Sequence, residues 1–236
     1  MVHPVINLEW LLAHPELVLT IVIGIVGLIV QWRLKAVFGK YAKVPFQGGM
    51  TGREVAEKML RDNNIHDVQV ISIHGRLTDN FNPTNKTINL SEGVYDGNSV
   101  SAAAVAAHET GHAIQHAREY APLKMRSALV PAISFASTWS MWVIIAGVML
   151  INTFPALFWI GILMIALSAL FALITLPVEY NASRHAMEWL QESRTLEGEQ
   201  LGQARIALNW AARTYLIAAL AAIATLLYYL SFARRN

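Results

Sequence analysis

The sequence predicts a mainly α, polytopic membrane fold, with about four transmembrane helices and a small α+β domain outside the bilayer. Three observations carry that expectation. Apolar residues fill 55% of the 236 positions and charged residues only 14%, against about 25% in typical globular chains. The apolar residues gather into four long runs. A polar stretch between the first two runs mixes helical and β-like patterns.

The first run, "LVLTIVIGIVGLIVQW" (Leu17–Trp32), reaches spanning length with its amphipathic flank "NLEWLLAHPE". The second (Ser127–Ile151) and third (Ala156–Leu176) hold no charged residue. Only "NTFP" (Asn152–Pro155) separates them, the pattern of a helical hairpin. The fourth, Thr214–Phe232, ends in "ARRN". A bilayer core takes roughly 20 apolar helical residues, so each run is a candidate span. The expected division is a flank and first span (1–32), a polar segment (33–126), a transmembrane hairpin (127–176), a second polar segment (177–213) and a final span with its tail (214–236).

Lysine and arginine set the expected orientation. Segment 33–126 carries twelve and segment 177–213 carries four, while residues 1–16 and 152–155 carry none. The positive-inside bias places both polar segments in the cytosol, with Arg234 and Arg235 running against it. The chain thus reads as an integral, multi-pass plasma membrane protein in contact with the lipid bilayer. The first run lacks a basic leader and a small-residue cleavage site, so it reads as an uncleaved anchor. With no cysteine, disulfides and thiolate ligands are excluded. The formal charge of +2 is spread without a basic block, which argues against nucleic acid as a partner.

Within the larger polar segment, "TGREVAEKML" opens with a capping box, Thr51 to Glu54, and predicts a helix to about Asp62. "DVQVISI" and "KTINL" are β-like, and "NFNPTN" between them supplies turn residues, so a small sheet or hairpin is expected. "YDGNS" then caps an alanine-rich helix holding His108, His112 and His116.

That helix carries the chemistry. "HETGH" is an H-E-x-x-H pattern, and on a helix His108 and His112 stand one turn apart on one face. Two imidazoles there can reach one zinc ion, while Glu109 sits beside a bound water without being a ligand. Zinc lowers the pKa of such a water to about 7, and a carboxylate base completes its activation. The ordinary alternative is a pair of surface histidines on an amphipathic helix.

A third ligand must come from elsewhere. His116 lies two turns from His108, about 12 Å along the axis at a rise of ~1.5 Å per residue, too far for the same ion. It reads as a polar or supporting residue. Position 118, where a metzincin would place its third histidine, holds Arg118. Glu179, in "LPVEYNASRH" just after the third run, is the acid at a span boundary, and Pro177 is expected to end the apolar helix. Its ordinary alternative is a helix cap or a pair with Arg184. His185 remains a rival third ligand.

"AAHETGHAIQ", "LTDNFNPTNKTINLSEGVY" and "LPVEYNASRHA" together resemble the YugP-type membrane zinc metallopeptidases, which are gluzincin-like, with H-E-x-x-H and a downstream Glu. The resemblance spans nearly the whole chain. It implies a zincin-like cytosolic metalloprotease domain, one zinc ion on His108, His112 and Glu179, and Glu109 as general base and acid. The family segment usually reads like "VEFDAS"; this chain has Tyr180 and Asn181 there. Asn181 is expected to hydrogen-bond a ligand histidine more weakly than a carboxylate would.

The expected function is zinc-dependent hydrolysis of peptide bonds in protein substrates at the cytosolic membrane face. Residues 68–90 offer a strand edge for an extended peptide. The oxyanion donor is open among Tyr95, Tyr180, His116 and Arg184. An intramembrane protease would hold the motif and an Asp ligand within spans, but every Asp here precedes residue 97. A zinc transporter would bury ligands in its spans, and the four runs contain no His, Asp or Glu. The strongest alternative is a non-hydrolytic zinc-binding membrane scaffold.

Overall fold

The computed structural model describes residues 14–46 and 48–235. The flank expected ahead of the first span lies outside these residues as far as position 13. The chain is mainly helical. In order, the elements are α1 (Pro15–Tyr41), α2 (Gly52–Asp62), β1 (Gln69–Ile73), β2 (Asn80–Asn82), β3 (Thr87–Ser91), α3 (Glu92–Tyr95), α4 (Val100–Ala117), α5 (Ala121–Met149), α6 (Pro155–Glu192) and α7 (Gly198–Arg235). Four of them, α1, α5, α6 and α7, are long and apolar enough to cross a membrane.

Two compact units form. The first takes residues 14–29, 126–174 and 215–235 of those described, and so holds the apolar lengths of those four helices. Its small core is Ile144, Phe158 and Ile162, with Leu226, Tyr229 and Phe232 against them. Gly147 lets α5 and α6 close up, since a Cβ there would stand 2.6 Å from the Cα of Phe158. Most of the remaining apolar surface faces outward: Leu28 is 73% exposed, Leu163 68% and Trp142 66%. Such a surface suits a lipid solvent, where helices satisfy their own backbone groups.

The second unit comprises residues 30–46, 48–125 and 175–214 of those described. Its core packs α4 between α2, the sheet and the ends of α6 and α7, through Val55, Met59, Ile88, Leu90, Ile114 and Leu190. Residues Val100 to Gln115 of α4 are all buried, which its alanines permit by leaving neighbours room to approach. Ser99 caps α4, its side chain accepting from the Ala102 N–H at 3.2 Å. α2 starts as the sequence indicates: Glu54 N–H donates to Thr51 Oγ1 at 3.3 Å, and Thr51 N–H donates to Glu54 Oε2 at 2.7 Å.

The expected small sheet is present, but its turn is shorter than expected, and the expectation for Pro177 requires correction. The sheet is mixed, in the order β1-β3-β2, with β1 parallel to β3 and only β2 antiparallel to it. "NFN" is therefore a strand, and the hairpin turn is confined to residues 83–86. Asn82 Oδ1 accepts from the N–H groups of Thr84 and Asn85, and Lys86 takes φ +52, which closes that turn. Pro177 does not end the apolar helix either; α6 runs through it to Glu192. A helix-interior proline loses one hydrogen bond and strains a turn. Burial outweighs that loss: Val178, Ala182, Ala186 and Leu190, four apart along one face, are all 0% exposed.

Replacing Thr51 with Ala removes the bond from the Glu54 N–H to Thr51 Oγ1, leaves the one from the Thr51 N–H to Glu54 Oε2, and should destabilise the second unit by about 1 kcal/mol. The expected readout is a lower unfolding midpoint in detergent with faster hydrogen exchange at residues 52–54, and no change in zinc content.

Candidate metal centre

The centre lies within the second unit, where α4 meets the far end of α6. Gly111, inside the H-E-x-x-H turn, is the contact point. A Cβ at that position would stand 2.5 Å from the carbonyl oxygen of Ala182, so only glycine allows the two backbones this close. The contact brings Glu179 opposite His108 and His112. Nε2 of His108 lies 3.3 Å from Glu179 Oε2, and Nε2 of His112 lies 3.5 Å from the same oxygen. One ligand atom from each residue fits within a 4.8 Å span, and all three residues are buried.

These separations suit zinc. Ligand atoms about 2.0–2.1 Å from a tetrahedral ion stand roughly 3.3–3.4 Å apart. The donor set of two imidazoles and a carboxylate also belongs to zinc chemistry and leaves one position open.

The rear of each imidazole is held as well. Gln115 is decisive for His112. Its amide nitrogen donates to the carbonyl of Val178 at 2.7 Å and to Asn181 Oδ1 at 2.9 Å. A backbone carbonyl can only accept, so the amide nitrogen must face Val178 and the amide oxygen must face His112. That oxygen lies 3.0 Å from His112 Nδ1, which therefore carries the proton and leaves Nε2 with a free lone pair. For His108, Nδ1 lies 3.1 Å from Ser183 Oγ, which can accept its proton in the same way.

Asn181 thus acts one bond further out than the sequence suggests, steadying Gln115 instead of a histidine. Gln115 and Ser183 were not foreseen. Their spacing was the available signal: Gln115 follows His112 by three residues and Ser183 follows Glu179 by four, each on the ligand's own helix face.

Electrostatics complete the site. Burial pushes the Glu109 carboxyl above its ordinary value, the two histidines oppose the rise, and the charges of Glu179 and Asp79 add to it. Burial would also raise Glu179, but its close contacts with the His108 and His112 imidazoles outweigh it and hold the carboxyl well below its ordinary value. For His112 burial acts downward, and the bond and charge of Glu179 outweigh it, raising the imidazole above its ordinary value.

The other candidates lie elsewhere. His185 is outside the cluster, 3.8 Å from Glu188. His116 is exposed, its ring 5.6 Å from that of Phe81. Arg184 lies 3.7 Å from Glu188, Tyr180 is half exposed, and Tyr95 stacks under Arg53.

Residues 16–234 match the family described as "putative neutral zinc metallopeptidase". The chain belongs to this family. It is 38% identical over 199 residues to the "Putative membrane protease YugP" of Bacillus subtilis (strain 168), covering 84% of this chain and 88% of that relative. No solved structure matches. Family membership implies zinc, and the cluster of His108, His112 and Glu179 is where the chain can hold it.

Purified protein should carry about one zinc per chain, and Glu179→Ala should carry little, by metal analysis in the same detergent. Gln115→Leu should weaken zinc binding about 10- to 100-fold in a competition titration with a chelator. As pH falls, zinc affinity should begin to drop at a point above the ordinary imidazole pKa of about 6.5, because a proton held on His112 more tightly than on a free imidazole competes with the ion. Affinity then rises with pH until that proton is lost, which zinc titrations across pH 5–9 would show as a rise that levels off.

Proposed function

We propose that the chain is a zinc-dependent endopeptidase, embedded in the plasma membrane, that hydrolyses peptide bonds of protein substrates at the cytosolic face. The observation that carries this reading is the buried convergence of His108, His112 and Glu179, with Glu109 adjoining it on the same helix turn. Zinc bound there supplies Lewis acidity, acidifying water and polarising the scissile carbonyl.

The remaining steps belong to the chain's own side chains. Glu109 takes the proton of the attacking water and passes it to the leaving amine, serving as base and then as acid. A carboxyl whose pKa is raised by burial suits the first task, because it takes the proton from water more readily than an exposed glutamate would. Gln115 and Ser183 hold the imidazoles still throughout. An extended peptide has a place to bind: β2 pairs with β3 along one side only and packs on α4, so its outer edge can accept a further strand. The excess of lysine and arginine in the polar segments supports the cytosolic side.

Glu109→Gln removes the proton acceptor and leaves the three ligands in place. It should bind zinc like the wild type while peptide cleavage falls by about 10² or more. Cleavage by wild type with none by the variant at equal zinc supports the peptidase. Zinc-loaded wild type that cleaves no peptide would instead favour a zinc-binding scaffold.

A further inference from the structure

A second feature of the same unit defines what the peptidase would select. A cavity of about 490 Å³ opens between the polar end of α1, the 75–79 loop, α3 and the start of α4. That volume falls in the roughly 300–1,000 Å³ range of ligand pockets. Its walls are largely apolar, with Phe38, Leu77, Val94 and Val105.

Three observations tie the cavity to the candidate centre. Ser101 and Val105 line it, and Glu109 is the next residue in the same row, four further along α4. Asp79 also lines it, held by the N–H and Oγ of Ser91 at 2.7 and 2.9 Å, and directly precedes β2, which packs on α4. Finally, Gly39 and Gly93 both line it, and a Cβ at either would meet nothing within 4 Å, so the wall there has room for a side chain. Neither glycine has positive φ, so neither is there for its backbone conformation.

We propose that this cavity is the specificity pocket of the peptidase, taking one large apolar side chain, such as Phe or Leu, beside the scissile bond. The proposal rests on the peptidase reading. Lys35 and Arg76 are exposed among the lining residues, and no ion pair joins either to a carboxylate among the described residues. They favour an acidic neighbour next to the apolar residue and disfavour a basic one.

The test uses full-length, zinc-loaded protein in detergent and fluorogenic peptides that differ only in Phe or Ala, moved through the positions flanking the cleaved bond. Wild type should prefer Phe at one position by at least about tenfold in kcat/KM. Gly93→Leu and Gly39→Leu, which add a side chain at the cavity wall, should each reduce that Phe-to-Ala ratio about tenfold, with zinc per chain unchanged. The zinc-loaded Glu109→Gln protein should show the same preference in peptide binding by fluorescence anisotropy, and Gly93→Leu in that background should remove it. A wild-type enzyme indifferent to Phe at every position, or a ratio that survives both leucine variants, overturns the pocket. Zinc-loaded wild type that cleaves neither peptide series overturns the peptidase reading itself, and the pocket as part of it.

Discussion

The candidate centre depends on one close contact, that of Gly111 with the backbone of Ala182. Glu179 is sixty-seven residues beyond His112 in the chain, and nothing local would bring them together. The approach succeeds because both helices present small residues there. Alanines line α4, and Val178, Ala182 and Ala186 line α6, so the two axes can draw near without large side chains between them. Packing of this kind is dense and leaves little slack. It therefore fixes where Glu179 and Ser183 stand relative to the two histidines.

Such burial is costly for polar groups unless each finds a partner. Here the partners form short chains that run from one helix to the other: His112 to Gln115, then to Val178 and Asn181 on α6; His108 to Ser183, also on α6. The same bonds that satisfy buried atoms also choose the tautomer of His112. Rigidity and ligand geometry are thus one property of the α4–α6 contact. An Asn at position 181 fits this arrangement well, because its oxygen needs only to accept from a neutral amide. A carboxylate in that place would put a further negative charge beside Glu179.

The sequence made visible what depends on local pattern or on chemistry at short range. The capping box at Thr51 and Glu54, the apolar runs and the H-E-x-x-H turn all belong to that class. The mixed sheet was not legible, because "NFN" is too short and too polar to declare a strand; its pairing comes from the turn that Asn82 closes. Pro177 misled for a related reason. The rule that proline ends helices describes a local cost, and the burial of Val178 and Leu190 that outweighs it is tertiary. Gln115 and Ser183 sat at readable helical spacings, yet spacing alone does not distinguish a residue that steadies a ligand from one that merely shares its face.

The placement of Glu109 carries a final constraint. A group that must take a proton and then give it back works best when its pKa lies near the working pH. Burial alone would carry a glutamate too far in one direction, leaving it protonated and unable to accept. The positive charge that histidines or a metal ion bring beside it acts in the opposite direction. A buried carboxylate next to the ligand pair is therefore poised between two large and opposed effects. Removing either one, by opening the site to water or by removing the charge beside it, would shift its proton affinity without touching the residue itself.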